Sequence, residues 1–95
     1  MHSYVQALQN HLEPHANPAE AGPMSQYMRN QFPFLGIKTP ARRVLLKTFL
    51  AVHGLPPLAD LETILKELWA LPEREYQYSA FALLDKVTKT LPADA

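Results

Sequence analysis

Apolar residues recur at intervals of three and four along most of the chain, which is the spacing of amphipathic α-helices. This spacing predicts five helices, at about 3–13, 24–31, 39–53, 58–71 and 72–90. No stretch sustains the alternation of apolar and polar residues that a half-buried strand shows. We therefore predict an all-α fold.

The apolar positions of each predicted helix form a stripe that is expected to face the core. A tryptophan, Trp69, lies beside the stripe of the fourth helix, where packing is the favoured role. The expected stripes are Val5, Leu8 and Leu12 in the first helix, Met24, Tyr27 and Met28 in the second, Leu45, Phe49 and Val52 (widened by Leu46 and Leu50) in the third, Leu58, Leu61, Leu65 and Leu68 in the fourth, and Tyr76, Ala80, Leu83, Leu84, Val87 and Leu91 in the fifth.

Prolines and glycines mark the predicted helix ends, because proline lacks a backbone donor and glycine adopts the conformations that close a helix. Asn17 is expected to cap a second helix that Gly22 and Pro23 interrupt, so that its firm part begins only at residue 24. Thr39 is expected to cap the third helix and Gly54 to end it. The fifth helix is expected to begin at Pro72.

The last two predicted helices together span about 35 residues, which is the size of one repeat unit of an α-solenoid. The fifth helix is apolar on more than one side, because Tyr78, Phe81 and Ala82 lie off its main stripe. The outer face of a terminal repeat is usually polar. We therefore expect residues 1–95 to be the N-terminal part of a longer array.

Charge is distributed unevenly in a chain whose formal net charge is zero. Residues 21–59 hold five Lys and Arg and no Asp or Glu, whereas residues 60–95 hold seven acids and four Lys and Arg. A basic middle segment of this kind favours a surface that binds a polyanion.

Three of those cations, Arg42, Arg43 and Lys47, follow the predicted start of the third helix. Cations there oppose the helix dipole, and Arg43 and Lys47 are like charges one turn apart. Phosphate binding would explain the cluster, because guanidinium groups and the free N–H groups of a helix start both attract anions. A solvated surface would explain it as well.

Tyr27 and Arg29 also allow two interpretations. They could place an aromatic ring and a cation beside nucleic acid, or Tyr27 could be packed in the core.

Other kinds of site find little support in the sequence. Without cysteine there are no disulfides or thiolate ligands, and the four histidines lack metal-ligand spacing. No nucleophile motif or glycine-rich phosphate loop is present, and Glu73 and Glu75 are expected to be cap and surface residues. No run is long enough for a membrane span, and no signal peptide is evident. We predict no metal, no cofactor, no membrane contact and a cytoplasmic location.

Two stretches resemble the motifs of a known family. Residues 24–43 are MSQYMRNQFPFLGIKTPARR, and residues 67–77 are ELWALPEREYQ. Both are similar to motifs of the AlkD-type DNA alkylation repair proteins, and the resemblance extends from about His2 to Lys89. It implies a superhelix of HEAT-like repeats that wraps duplex DNA with a basic concave face, and residues 1–95 would form the N-terminal part of that domain.

The same resemblance implies DNA glycosylase activity, the release of N3- and N7-alkylated purines without flipping the base into a pocket. The family's catalytic Trp, Asp and Arg would lie beyond Ala95, so we predict no catalytic residue here and no excision by this chain alone. Trp69 belongs to the LWxLPERE motif, for which the resemblance implies a structural role.

The resemblance also implies which residues face DNA. Tyr27 matches a tyrosine of the concave side, and Lys38 replaces a neutral polar residue of a relative, so a charge contact would replace a polar one. Arg42 and Arg43 match basic residues that either touch phosphate or brace the repeat. The predicted DNA-binding residues are Tyr27, Arg29, Lys38, Arg42, Arg43 and Lys47.

Two alternatives remain open to the sequence. One is a DNA-binding module without catalysis. The other is a protein-interaction array in which the apolar face of the fifth helix docks a partner or a second copy.

Overall fold

The computed structural model describes residues 1–29 and 33–90, which form an all-α fold of five α-helices. These are α1 (Ser3–Leu12), α2 (Pro18–Tyr27), α3 (Thr39–His53), α4 (Leu61–Ala70) and α5 (Arg74–Thr90). Single 3₁₀ turns, Glu13–His15 and Leu58–Asp60, follow α1 and precede α4. The predicted fold class, all-α with about five helices, is confirmed. Within the described ranges, no helix is both long and apolar enough to cross a membrane.

The core is built around α1, which packs against both α3 and α4. Tyr4 of α1 meets Phe49 of α3 edge to face, with ring centroids 5.2 Å apart. The helices α4 and α5 make the most extensive contact of the fold, across the three-residue turn 71–73. The other buried apolar residues are Val5, Leu8, Leu12, Ile37, Leu46, Ile64, Leu68, Tyr76, Ala80, Leu83 and Val87.

The apolar stripes of α1 and α5 are largely as expected, but the stripe of α3 is displaced. Leu46 and Phe49 are buried, whereas Val52, which was expected to face the core, is 80% exposed. Leu58 and Leu84 are also exposed, contrary to expectation, and Leu91 lies outside the described residues. Val52 is exposed because α3 packs mainly against α1, so only part of its apolar surface has a neighbour to cover it. Leu58 lies in the 3₁₀ turn before α4, and Leu84 lines an open groove between α4 and α5.

The prediction that Gly22 and Pro23 interrupt the second helix is wrong. α2 runs without a break from Pro18 to Tyr27, with Pro23 inside it. Proline removes one backbone hydrogen bond and leaves the others, and this helix is fixed at both ends. The Asn17 side chain accepts from the Ala19 N–H at its start, and the Met28 N–H bonds back to the last turn. The predicted end near residue 31 is wrong as well, because α2 ends at Tyr27 with Met28 as its C-cap.

Two helices also start differently from the prediction. The first bond of α3 runs from the Arg42 N–H to the Lys38 carbonyl at 2.9 Å, so Lys38 and not Thr39 is the capping residue. α5 begins at Arg74 rather than at Pro72, because the Arg74 N–H donates to the Pro33 carbonyl at 2.9 Å. A contact distant in sequence therefore fixes this start.

Candidate nucleic-acid interface

The two sequence motifs meet at the Glu75 carboxylate, which is fully buried. One oxygen accepts from the Leu35 N–H at 2.9 Å, and the other accepts from Gly36 at 3.0 Å and Ile37 at 3.1 Å. Three backbone donors compensate the cost of removing this charge from water. The prediction that Glu75 is a surface residue is therefore wrong, and its first-turn position in α5 serves a tertiary contact.

The same loop is fixed from its other side by the start of α2. The Asn17 N–H donates to the Leu35 carbonyl at 2.9 Å. Gly36 has a φ of 95°, and a Cβ there would lie 2.0 Å from the Asn17 carbonyl oxygen. Only glycine fits, because both the backbone angle and the space exclude a side chain. We call this contact set the motif junction; it consists of Asn17, Leu35, Gly36, Ile37 and Glu75.

A groove between α3 and α5 has a volume of about 620 Å³. Arg42, Arg43 and Lys47 of α3 line one side, and Lys86 of α5 lines the other. We call it the basic groove. Its remaining lining residues are Leu46, Tyr78, Phe81, Ala82 and Asp85. The structure therefore brings together three of the predicted DNA-binding residues and adds Lys86.

Arg42 and Arg43 differ in environment, although they are adjacent in sequence. Arg43 is exposed, whereas Arg42 is half-buried with its guanidinium carbon 5.0 Å from the centroid of the Tyr78 ring. Burial lowers the pKa of Arg42 from its usual value, and the neighbouring charge of Arg43 lowers it further, while Tyr78 and Glu75 act in the opposite direction. Arg42 is thus braced by the fold, and Arg43 faces solvent.

A second groove lies between α2 and the start of α3, and we call it the aromatic groove. It is lined by Tyr27, Phe34, Lys38 and Tyr78, together with Glu20, Pro23, Met24, Met28 and Thr39. Tyr27 is 87% exposed, so the interpretation of this residue as part of the core is wrong. Lys38 is paired with Glu20 at 3.2 Å, which places a carboxylate beside this predicted DNA contact.

Arg29 is the predicted site residue that lines neither groove. It is exposed and has a φ of 56°, in the left-handed region that follows many helix ends. Lys86 was missed by sequence reasoning because it lies in the acidic third of the chain. Its signal is the four-residue spacing of Tyr78, Ala82 and Lys86, which places all three on one side of α5.

A third groove, between α4 and α5, is apolar and is lined by Leu65, Lys66, Trp69, Ala80, Phe81 and Leu84. We call it the apolar groove. Trp69 meets Phe81 edge to face with ring centroids 5.3 Å apart, and the two side chains remain 48% and 57% exposed. Trp69 therefore packs on its neighbours, as expected, but at the surface.

The described residues include no group of three or more His, Asp or Glu that could hold a metal ion. The acid that lines the basic groove, Asp85, is ion-paired with Lys89 at 3.0 Å. The chemistry that the arrangement offers is therefore the binding of anions by several cations held on two helices.

A comparison with curated protein sequences found no match. A comparison with protein families matches residues 8–95 to the family described as DNA alkylation repair enzyme. The match includes both motifs, the motif junction and the two grooves that hold the basic residues. Because the match covers nearly the whole chain, it confirms the family that the two motifs indicated. This chain belongs to the DNA alkylation repair enzyme family, and its role lies in DNA alkylation repair.

Proposed function

We propose that this chain supplies DNA-backbone binding to a DNA glycosylase that excises N3- and N7-alkylated purines from duplex DNA. The observation that carries the proposal is the basic groove. Arg42, Arg43 and Lys47 line it from α3, and Lys86 lines it from α5. Cations on two sides of a groove match the repeated phosphates of a DNA strand better than cations on a single flat surface.

The start of α3 adds to this attraction. Its first N–H groups have no partner within the helix and carry the positive end of the helix dipole. Lys38 caps this start, and Arg42 and Arg43 follow it as the fourth and fifth residues of the helix. A phosphate near the helix start would therefore compensate the cost of placing cations there.

The proposed division of labour follows from the chemistry of the substrate. An N3- or N7-alkylated purine is cationic, so its glycosidic bond is already weakened, and a carboxylate that stabilises the developing oxocarbenium ion can supply much of the remaining catalysis. Asp85 in the basic groove is paired with Lys89 instead. In this proposal the chain binds the duplex, and groups outside residues 1–95 break the bond.

The test of backbone binding is the affinity for a fluorescently labelled duplex, measured over a range of salt concentrations. Arg43→Gln combined with Lys47→Gln should weaken binding and should flatten the slope of log affinity against log salt by about 0.9 for each phosphate that the variant no longer neutralises. The matched control is Lys66→Glu, which changes the net charge equally but lies in the apolar groove. Equal effects of the two changes would show that only net charge matters and would overturn the proposal.

The division of labour is tested by release of 7-methylguanine from a methylated duplex. The chain should bind this duplex and release no base above the uncatalysed rate. Excision by the chain alone would overturn the assignment of the bond-breaking groups to other residues.

The apolar groove favours a second candidate function, self-association through α4 and α5. Phe81 and Trp69 present half-exposed aromatic surface there. Apolar association persists at high salt, whereas phosphate binding does not. Sedimentation equilibrium at high salt should show a dimer that Phe81→Asp abolishes; a monomer at all concentrations would rule this candidate out.

A further inference from the structure

Tyr78 lies where the basic groove and the aromatic groove meet, and its half-buried side chain lines both. Two guanidinium groups lie over its ring, with the carbon of Arg42 at 5.0 Å and that of Arg74 at 5.2 Å from the centroid. Both distances are within the range of a cation–π interaction.

The two arginines play different parts in this cluster. Arg74 precedes Tyr78 by one turn of α5 and is fixed by other contacts as well. Its backbone N–H donates to Pro33, its Nη1 donates to Gln77 Oε1, and its guanidinium carbon is 5.9 Å from the centroid of Trp69. Arg42 instead comes from α3, which packs mainly against α1. The contact of Arg42 with Tyr78 therefore crosses the basic groove.

We propose that Tyr78 is a positioning residue for DNA binding: its ring holds the Arg42 guanidinium in the basic groove, ready to contact a phosphate. The inference rests on the proposed function and identifies Tyr78 as the residue that orders Arg42, the half-buried cation of the basic groove. A guanidinium stacks through its face, and the N–H groups in its plane stay free to meet phosphate oxygens. An arginine that is already ordered loses less side-chain freedom when it binds.

The environment of Arg42 supports this role. Arg42 is half-buried and adjacent to the like charge of Arg43, and both features disfavour its charged form and so lower its pKa. Arginine nevertheless stays protonated in proteins. A side chain held in such a place needs compensating interactions, and α5 supplies two of them, the charge of Glu75 and the Tyr78 ring that the guanidinium group lies over.

The experiment compares Tyr78→Leu and Tyr78→Phe in duplex binding at low salt. Tyr78→Leu should weaken binding roughly two- to fivefold, the range of an exposed cation–π contact, and Tyr78→Phe should restore it because the ring is kept. In an Arg42→Gln background, Tyr78→Leu should have little further effect, since the two residues act together. Additive effects of the two changes would overturn the inference.

A second measurement uses the wild-type chain, so it does not depend on whether a variant folds. The Arg42 side-chain protons of the wild-type chain should show upfield NMR shifts from the Tyr78 ring, and values typical of a free arginine would overturn the inference. A different result would overturn the proposed function itself. If Arg43→Gln with Lys47→Gln leaves DNA affinity unchanged, the basic groove does not bind DNA. If that pair weakens binding and Tyr78→Leu does not, only the role of Tyr78 is wrong.

Discussion

The buried carboxylate of Glu75 accepts a hydrogen bond from the backbone N–H of Gly36 at 3.0 Å, across 39 positions of the chain. This contact joins the FLGI segment of one family motif to the PERE segment of the other. The loop it holds leads directly into α3, so the motif junction determines where the basic residues of that helix lie relative to α5.

Glu75→Gln should destabilise the fold strongly. Glutamine offers one carbonyl oxygen to three backbone donors, and its NH₂ group would face at least one of them. The expected loss is about 3 kcal/mol of unfolding free energy, because buried donors lose a charged acceptor. Urea denaturation measures it, with Glu73→Gln as the matched control on the neighbouring turn. Equal stability of the two variants would contradict the role of the motif junction.

Gly36→Ala should be as damaging, for a steric reason. The new Cβ would lie 2.0 Å from the Asn17 carbonyl oxygen, at a φ of 95°. Strain and the forced backbone shift should together lower the unfolding free energy by about 3 kcal/mol. The control, Gly22→Ala, has open space around it in α2 and should gain about 0.5–1 kcal/mol from helix propensity. Thermal unfolding of both variants checks the opposite signs.

Glu20→Gln should raise the affinity for duplex DNA. The Glu20 carboxylate pairs with Lys38 at 3.2 Å and lines the aromatic groove, so it competes with phosphate for this lysine. The expected gain is roughly twofold at low salt, in line with an exposed ion pair. Glu13→Gln makes the same charge change at an exposed site that lines neither groove, and it should have a smaller effect. An equal gain from both variants would place Lys38 away from the DNA.

Stability should fall at high pH through the ionisation of Tyr4. Burial raises its pKa to about 12, and its hydroxyl donates to the Gly54 carbonyl at 2.8 Å. In the unfolded chain the pKa is about 10. Between these values the folded chain holds the proton and the unfolded chain does not, so stability is full below pH 10 and is lost as pH rises toward 12. Burial raises the pKa of Tyr76 as well, and acts in the same direction.

Tyr4→Phe isolates this contribution. Chemical denaturation at pH 9, 10 and 11 should show a decline that, between pH 10 and 11, is shallower than in the wild type by about 1 kcal/mol. Tyr27→Phe is the control, because the Tyr27 ring is exposed and its loss should leave the decline unchanged. A decline of equal steepness in all three proteins would show that Tyr4 does not cause it.

Local rules predicted much of the fold. The spacing of apolar residues in α1 and α5, the Asn17 cap and the end of α3 at Gly54 all depend on residues within a few positions of one another, so the sequence by itself determined them. It also determined the basic segment and the family, because the motifs are contiguous stretches. The continuity of α2 through Pro23 was not predicted, because proline favours a helix end locally although it removes only one backbone hydrogen bond of a longer helix.

The tertiary structure alone decided which of these features form a site. The same helical pattern fits a surface Glu75 and a buried one, and only the 35–37 loop, distant in sequence, supplies the donors that bury it. Likewise, only the position of α3 across the groove from α5 separates the environments of Arg42 and Arg43 and adds Lys86 to the groove. The physical reason is that periodicity shows which side of a helix is apolar, whereas burial, charge environment and shared grooves depend on the neighbour that covers that side.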